Sequence, residues 1–122
     1  DIQDSTLEHI LPQTPAAESQ WVSKWSDDER TLYLHDISNI VLTFDNSHYL
    51  NFDFATKKGV AGCGHCYANS DIRQERKISE YSDWTPRECQ ERKEILSRWI
   101  CERWGIRTIE TKQQFNIDED DE

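Results

Sequence analysis

The sequence predicts an α+β fold in which two short strands lie among several helices. Residues 6–11 and 37–44 are rich in apolar and β-branched side chains, which is the composition of strands. Elsewhere, aromatic and aliphatic side chains recur every three or four residues, most clearly over residues 86–104, and this spacing indicates helices. A length of 122 residues fits one domain.

The elements before the long helix follow from the turn-forming residues that interrupt the apolar patterns. The first strand is closed by Pro12, and residues 18–34 then place Trp and Leu at helical spacing, which predicts one or two short helices. Residues 45–47 supply turn and N-cap chemistry after the second strand. A helical stretch should follow and end at Gly59, before a loop over residues 59–70 that contains three Gly and two Cys.

The helix over residues 86–104 has the strongest boundary signals. Thr85 is suited to be its N-cap, Glu88 completes a capping box, and Gly105 is placed to end the last turn. Because its apolar residues recur at three- and four-residue steps, we expect this helix to belong to the core. The side chains expected to be buried are Cys89, Ile95, Leu96, Trp99, Ile100, Cys101 and Trp104.

The net charge of −10 argues against strong binding of DNA by this chain alone, because phosphate binding depends on Lys and Arg. The charge is uneven: residues 1–55 carry a net −8, residues 56–107 a net +3 and residues 108–122 a net −5. We expect a domain over residues 1–115 and a disordered, solvated acidic tail over residues 116–122. Affinity for nucleic acid should therefore come largely from another domain of the same protein.

The sequence has neither a membrane span nor a secretion signal. No apolar run approaches the roughly 18 residues of a membrane span, and no signal peptide opens the chain. We therefore expect a cytoplasmic protein without a membrane partner, whose four cysteines are reduced thiols. Because the sequence starts abruptly at Asp1, just before its most informative motif, we expect it to be a domain of a longer protein. The oligomeric state is left open.

Glu8 and His9 are the first candidates for a catalytic site. An imidazole with a pKa of about 6.5 can remove a proton from water at neutral pH, so His9 is suited to act as a general base. Glu8 and an asparagine oxygen could hold Mg²⁺, which prefers oxygen ligands. Neighbouring side chains of a strand point to opposite faces. Both residues can therefore serve one site only if the strand twists or ends there, and Pro12 favours an end.

Four segments resemble one nuclease family. The sequence EHILPQ at residues 8–13 resembles the Asp/Glu-His-Ile-x-Pro motif that opens HNH (His-Me finger) endonucleases, and SNIVLT at residues 38–43 resembles their Gly-Asn-Leu-x-Leu-Thr strand. Residues 46–57 resemble a run of Asn, Phe and Lys in one branch, the C-terminal nuclease domain of GmrSD-type, modification-dependent restriction enzymes and related phage-defence proteins. Residues 84–104 are similar to the closing helix of that branch. The chain departs from the family at Ser38, where Gly is usual.

The resemblance implies a fold and a mechanism. The fold would be a small two-stranded antiparallel ββα-metal core surrounded by helices. The reaction would be hydrolysis of DNA phosphodiester bonds with Mg²⁺ or Mn²⁺, leaving 5′ phosphates, in restriction or phage defence. His9 would be the general base, Glu8 a metal ligand, and Asn39 would orient the His9 loop. The second metal ligand would be Asn46, which we favour slightly, or Asn51.

The remaining candidate residues have competing interpretations. His48 is a rival metal ligand, three residues before Asn51. Lys57, Lys58 and Arg73 are candidates for contacts with DNA phosphates. The two lysines could instead complement the dipole at a helix C-terminus, and Arg73 could lie on a solvated helix surface.

Two other classes of function stay open. One is a non-catalytic nucleic-acid or protein interaction module on the same fold, which the acidic balance favours. The other is a zinc-stabilised structural domain that would use Cys63, Cys66 and His65 with one further ligand. Structural zinc sites usually combine two cysteine pairs. Because Cys89 and Cys101 are twelve residues apart on one predicted helix, the sequence disfavours zinc.

Overall fold

The fold combines one small sheet with short helices and one long helix. The structure, a computed structural model, describes residues 6–44, 46–60 and 62–105. In these residues it contains a two-stranded antiparallel sheet and five α-helices, which confirms the predicted α+β class. The domain end predicted at residue 115 and the acidic tail after it lie outside the described residues. The elements follow in chain order as β1 (Thr6–His9), α1 (Gln20–Ser23), α2 (Asp27–Tyr33), β2 (Ile40–Thr43), α3 (Phe54–Lys58), α4 (Arg73–Ile78) and α5 (Pro86–Trp104).

The sheet separates an inner face from an outer face. Leu7 lies opposite Leu42 and Glu8 lies opposite Val41, and opposed residues share a face while neighbours alternate. Glu8 and Val41 are buried, whereas Leu7 and Leu42 are exposed. β1 ends at His9, two residues before its predicted end, and His9 falls on the outer face. The strand therefore sends the adjacent Glu8 and His9 in opposite directions.

β2 is shorter than the strand predicted over residues 37–44. Ile37–Asn39 form a 3-10 turn instead, and only Ile40–Thr43 pair with β1. Asp36 stabilises this turn, because its carboxylate accepts hydrogen bonds from the backbone nitrogen of Ser38 at 3.0 Å and from its hydroxyl at 2.6 Å. Short polar side chains that bond to nearby backbone in this way compete with strand pairing.

The helical stretch predicted after β2 is divided into two short pieces. Asn46–His48 form one 3-10 turn, and α3 begins only at Phe54. Between them Leu50 has a φ of 43°, a left-handed conformation that interrupts a right-handed helix. Gly59 ends α3 as predicted, with a φ of 62°. A Cβ atom at Gly59 would lie 2.5 Å from Cβ of Cys66, so the position has no room for a side chain.

Aromatic side chains from distant segments build the core. Trp21 on α1, Trp25 after it and Trp84 before α5 are each at most 2% exposed. The Trp25 indole donates its N–H to the carbonyl oxygen of Trp84 at 3.1 Å. The Trp84 ring stacks on Phe54 with 5.9 Å between centroids. The prediction of one or two short helices over residues 18–34 is confirmed, since α1 and α2 both form there, and α2 contacts α5.

α5 has the predicted bounds, and Gly105 adopts the left-handed conformation after its last turn. The prediction that its whole apolar face is buried is wrong, because Ile95, Trp99 and Trp104 are 51%, 58% and 66% exposed. A helix of 19 residues is about 28 Å long, and its buried residues all lie in its first half. The second half therefore extends past the core.

Within the described residues, no helix is long and apolar enough to span a membrane.

Arg92 connects α5 to the beginning of β2. Its side chain is buried, and Nη1 donates hydrogen bonds to three backbone carbonyl oxygens, those of Ile37 at 3.2 Å, Ser38 at 2.7 Å and Ile40 at 3.0 Å. These carbonyls surround Asn39, so Arg92 fixes the turn that carries this asparagine.

The Arg92→Met variant should lower the free energy of unfolding by about 2 to 4 kcal/mol, because it keeps the apolar stem but leaves three carbonyl groups without their donor. Chemical denaturation measures the change. The matched control is Arg98→Met on the exposed side of the same helix, which should change the stability little. Equal losses in the two variants would contradict the role of Arg92.

Candidate active site

An open cleft of about 780 Å³ lies beside the end of β1. The predicted general base and the three candidate metal ligands favoured from the sequence all lie in this cleft. Its walls come from two segments that are distant in the chain, residues 7–14 and 46–51. The lining residues are Leu7, Glu8, His9, Pro12, Gln13, Thr14, Asn46, Ser47, Leu50 and Asn51.

His9 is partly buried, and both nitrogens of its ring have partners. Nε2 lies 3.2 Å from Nδ1 of His35, and Nδ1 lies 3.2 Å from the amide nitrogen of Gln13. Burial lowers the pKa of His9, and the charges of His35 and Lys57 lower it further. A lowered pKa keeps the imidazole neutral at neutral pH, which is the protonation state that a general base requires.

Glu8 points into the domain, on the opposite side of the strand from His9. Its Oε2 accepts a hydrogen bond from the hydroxyl of Tyr67 at 2.6 Å and pairs with Nζ of Lys57 at 3.0 Å. Burial raises the pKa of the Glu8 carboxyl, and Lys57 and Tyr67 oppose that rise. Both partners engage Oε2, and Glu8 is also one of the residues that line the cleft.

Lys57 lies beneath the end of β1 rather than at the surface. Its side chain has no exposed area, and besides Glu8 its Nζ contacts the carbonyl oxygens of His9 at 3.0 Å and Ile10 at 2.9 Å. These three oxygens match the three hydrogens of an ammonium group. Burial lowers the pKa of Lys57, and Glu8 opposes this effect. Lys57 therefore holds the end of β1, in place of the phosphate contact predicted for it.

Asn39 is fully buried and holds the segment that follows His9. Its Nδ2 donates to the carbonyl oxygens of Leu11 and Leu34, each at 3.0 Å. Its Oδ1 accepts from the backbone nitrogen of Leu11 at 2.8 Å and from the indole of Trp84 at 3.1 Å. These four bonds use both donors and both acceptor sites of the carboxamide. Asn39 therefore fixes the backbone of Leu11, two residues after His9, and its predicted role in orienting the His9 loop stays a prediction.

Asn46 and Asn51 join the two walls of the cleft. Nδ2 of Asn46 donates to the carbonyl oxygen of Leu7 at 2.9 Å, and Nδ2 of Asn51 donates to that of Thr14 at 3.0 Å. Both asparagines are exposed. Because each amide nitrogen is a donor to backbone, the amide oxygen is the atom of each residue with the chemistry of a metal ligand. Position alone does not rank one asparagine above the other.

The donors in the cleft fit a hard divalent cation. Glu8 contributes a carboxylate oxygen, and Asn46 and Asn51 contribute amide oxygens, and Mg²⁺ commonly combines one or two carboxylates with water and substrate phosphate. In the part of the chain that the structure describes, no three or more His, Cys, Asp or Glu side chains come together as a metal site. A cation in this cleft would therefore be completed by amides, water and the substrate.

The cysteines differ from the sequence-based expectation of four reduced thiols. Cys63 and Cys66 are joined by a disulfide. The alternative zinc site that would use these cysteines with His65 stays a hypothesis. Cys89 and Cys101 are free; Cys89 is buried as predicted, whereas Cys101 is only partly buried.

The remaining predicted site residues are not part of the cleft lining. His48 stacks on His65 with 3.7 Å between ring centroids. Nζ of Lys58 donates to the carbonyl oxygen of Tyr81 at 2.8 Å. Arg73 is the first residue of α4, and its side chain is exposed. Of the three basic residues predicted to contact DNA, Arg73 thus has the most accessible side chain.

Three residues that contact the predicted site were not identified from the sequence: His35, Gln13 and Tyr67. Gln13 belongs to the EHILPQ segment, so its proximity to His9 could have been inferred. His35 lies three residues before the second strand motif, and only its residue type is a signal. Tyr67 lies 59 residues from Glu8 in the chain, and no local pattern connects the two.

The Lys57→Met variant should lose about 3 to 5 kcal/mol of unfolding free energy, because Glu8 would remain buried without its cation. Urea denaturation measures this loss. Lys58→Met is the matched neighbour, and it removes one partly buried hydrogen bond, so its loss should be about 1 kcal/mol. A Lys57→Met protein as stable as the Lys58→Met protein would show that the buried ion pair does not form.

Comparison with known proteins identifies the family. A search among curated proteins and a search among solved structures each found no match. One protein family, described as "GmrSD restriction endonucleases, C-terminal domain", matches residues 1–99. This range includes every residue of the cleft. The match confirms the resemblance to the C-terminal domain of GmrSD-type restriction enzymes. The chain therefore belongs to the family of C-terminal domains of GmrSD restriction endonucleases.

Proposed function

We propose that this chain is a metal-dependent DNA endonuclease domain of the HNH (His-Me finger) type that acts in restriction. Membership of the family supports a nuclease role in restriction. The observation that supports the HNH-type mechanism is the environment of the His9 imidazole. Its imidazole has a lowered pKa and lies in a cleft whose walls carry carboxylate and amide oxygens.

In the proposed reaction, His9 removes a proton from a water molecule. The resulting hydroxide attacks the phosphorus atom in line with the departing 3′ oxygen, and the product carries a 5′ phosphate. The backbone that follows His9 is held at two points, because Lys57 binds the carbonyl oxygen of His9 and Asn39 binds Leu11. A base held in one position loses little entropy when the substrate arrives, which favours reaction.

The proposed cofactor is Mg²⁺ or Mn²⁺. Oε1 of Glu8 and the amide oxygen of Asn46 or Asn51 would hold it. A cation bound there supplies neutralisation of the charge that develops on the phosphate and the leaving oxygen. Lys57 and Tyr67 hold the other oxygen of Glu8, so they orient the carboxylate. In this proposal β1, β2 and the helical segments after β2 correspond to a ββα-metal core.

Affinity for DNA would come from another domain of the same protein. Among the ten residues that line the cleft there is no Lys and no Arg. Lysine and arginine side chains supply most of the phosphate affinity of DNA-binding proteins. Cleavage and recognition are therefore assigned to different parts of the protein.

A non-catalytic interaction module on the same fold is the second candidate. The observation that favours it is the buried ion pair of Glu8 with Lys57, since a carboxylate neutralised by an internal lysine is a weaker ligand for a cation. Cleavage of DNA that depends on a divalent cation separates the two candidates directly.

The His9→Ala variant should nick supercoiled plasmid DNA in Mg²⁺ at least about a hundredfold more slowly than the wild-type chain, because a general base typically contributes that much. The assay is run at low ionic strength, which favours binding of the acidic chain. His65→Ala, which alters an exposed histidine outside the cleft lining, is the control and should cut at the wild-type rate. Both variants should keep the wild-type circular dichroism.

Two results would contradict the endonuclease proposal. Cleavage by His9→Ala at the wild-type rate would exclude His9 as the base. A wild-type chain that cuts no DNA in either Mg²⁺ or Mn²⁺ would favour the non-catalytic module.

Metal titrations of cleavage should distinguish Asn46 from Asn51. At the true ligand, substitution by Ala should raise the Mg²⁺ concentration for half-maximal rate by about tenfold or more, whereas substitution by Asp should lower it, because a carboxylate binds Mg²⁺ more strongly than an amide. At the other asparagine, both substitutions lose the same backbone hydrogen bond and should behave alike. If Ala and Asp have the same effect on the Mg²⁺ requirement at position 46 and also at position 51, neither asparagine is a metal ligand.

A further inference from the structure

We propose that His35 is a positioning residue for His9, which accepts the Nε2–H of the His9 imidazole and leaves Nδ1 as the nitrogen that takes the proton. The inference rests on the proposed function, because it gives the general base a partner. It also makes a statement about His9 that can be tested without any cleavage assay.

His35 approaches His9 from a different part of the fold. His9 ends β1, whereas His35 follows the C-terminal end of α2. Nε2 of His9 and Nδ1 of His35 are 3.2 Å apart. The two rings are nearly perpendicular, at 82°, with 5.2 Å between centroids. The contact is therefore made through ring nitrogens at the edges, as in a hydrogen bond, and not by stacking of the faces.

The direction of this hydrogen bond follows from the role proposed for His9. A general base needs one ring nitrogen that can accept a proton, and Nε2 is the nitrogen that faces His35. Nδ1 is then the nitrogen that takes the proton, and the neutral ring carries its hydrogen on Nε2 and donates it to Nδ1 of His35. The amide nitrogen of Gln13 lies 3.2 Å from Nδ1 of His9 and 3.4 Å from Nε2, so it approaches the two ring nitrogens almost equally and leaves the choice of tautomer to His35.

One buried side chain fixes the spacing of the two histidines. Nδ2 of Asn39 donates both to the carbonyl oxygen of Leu11, two residues after His9, and to that of Leu34, immediately before His35. Asn39 has no exposed area. The backbones that carry the two rings are thus tied to the same amide, and the contact of the rings does not depend on two freely moving side chains.

This arrangement suits the removal of a proton from water. Water replaces the Gln13 amide at Nδ1, and when Nδ1 takes the proton, His9 becomes a cation. Its Nε2–H keeps the hydrogen bond to His35, so the ring holds its orientation while Nδ1 takes the proton. His35 therefore orients the His9 ring and selects the tautomer of the neutral base, which is the task of the third group in nucleophile–base–orienter arrangements.

Nitrogen-15 NMR of the histidine rings in the full chain tests the tautomer directly. In the wild-type chain, neutral His9 should carry its hydrogen on Nε2. His35→Asn should keep this tautomer, because its Oδ1 can take the place of Nδ1, whereas His35→Phe should give a mixture. Neutral His9 with its hydrogen on Nδ1 in the wild-type chain would overturn the inference, whether or not the chain cuts DNA.

Cleavage kinetics test the consequence for the proposed reaction. His35→Phe should lower kcat by about tenfold or more while KM changes by less than about twofold, because the substrate still binds and only the base is impaired. His35→Asn should restore kcat to within about threefold of the wild-type value. Wild-type kcat in His35→Phe would overturn the role of His35 and leave the proposed function intact. Wild-type activity in His9→Ala would instead overturn the proposed function.

Discussion

A lysine ammonium buried beneath the last residue of β1 is the constraint on which the candidate site depends. Lys57 reaches back along the chain to Glu8 and to the carbonyl oxygens of His9 and Ile10. A buried charge is tolerated only when it is paired and fully hydrogen-bonded. The three oxygens must therefore stay in place together, and Tyr67 adds a hydrogen bond from its hydroxyl to the same oxygen of Glu8 that binds Lys57. As a result, the side chain of Glu8 points into the domain towards Lys57 and Tyr67, whereas the side chain of His9 points outwards into the cleft.

Asparagines near the site have two different physical roles, although they are chemically identical. Asn39 is fully buried, and its four hydrogen bonds use the whole capacity of its carboxamide, so it acts as a structural connector between segments. Asn46 and Asn51 are exposed and donate through nitrogen to the backbone of the opposite cleft wall. Burial thus separates the amide that holds the segment after His9 from the amides that have the chemistry to hold a cation.

The charged side chains near the cleft do not form a surface that would bind phosphate strongly. The cleft lining has one carboxylate and neither lysine nor arginine, and the ammonium of Lys57 is paired inside the domain. Lys58 donates a hydrogen bond to a backbone carbonyl oxygen. Arg73, the first residue of α4, has an exposed side chain. A site of this composition attracts phosphate weakly, because the favourable electrostatic contribution to DNA binding comes from lysine and arginine. The proposed dependence on another domain follows from this local electrostatics as well as from the net charge of the chain.

The sequence by itself determined the α+β class and the bounds of α5, and it singled out four residues that line the cleft, Glu8, His9, Asn46 and Asn51. Caps, turns and short motifs act within a few positions of the chain and can therefore be recognised without the fold. The strand predicted over residues 37–44 is longer than the observed β2, because Asp36 forms hydrogen bonds to Ser38 that compete with strand pairing, and these bonds are known only from the structure. Tertiary structure alone decided that Lys57 is internal, that Trp99 is exposed and that His35 contacts His9. The physical reason is that burial and ion pairing depend on which distant segments share one core, and periodicity along the chain does not carry that information.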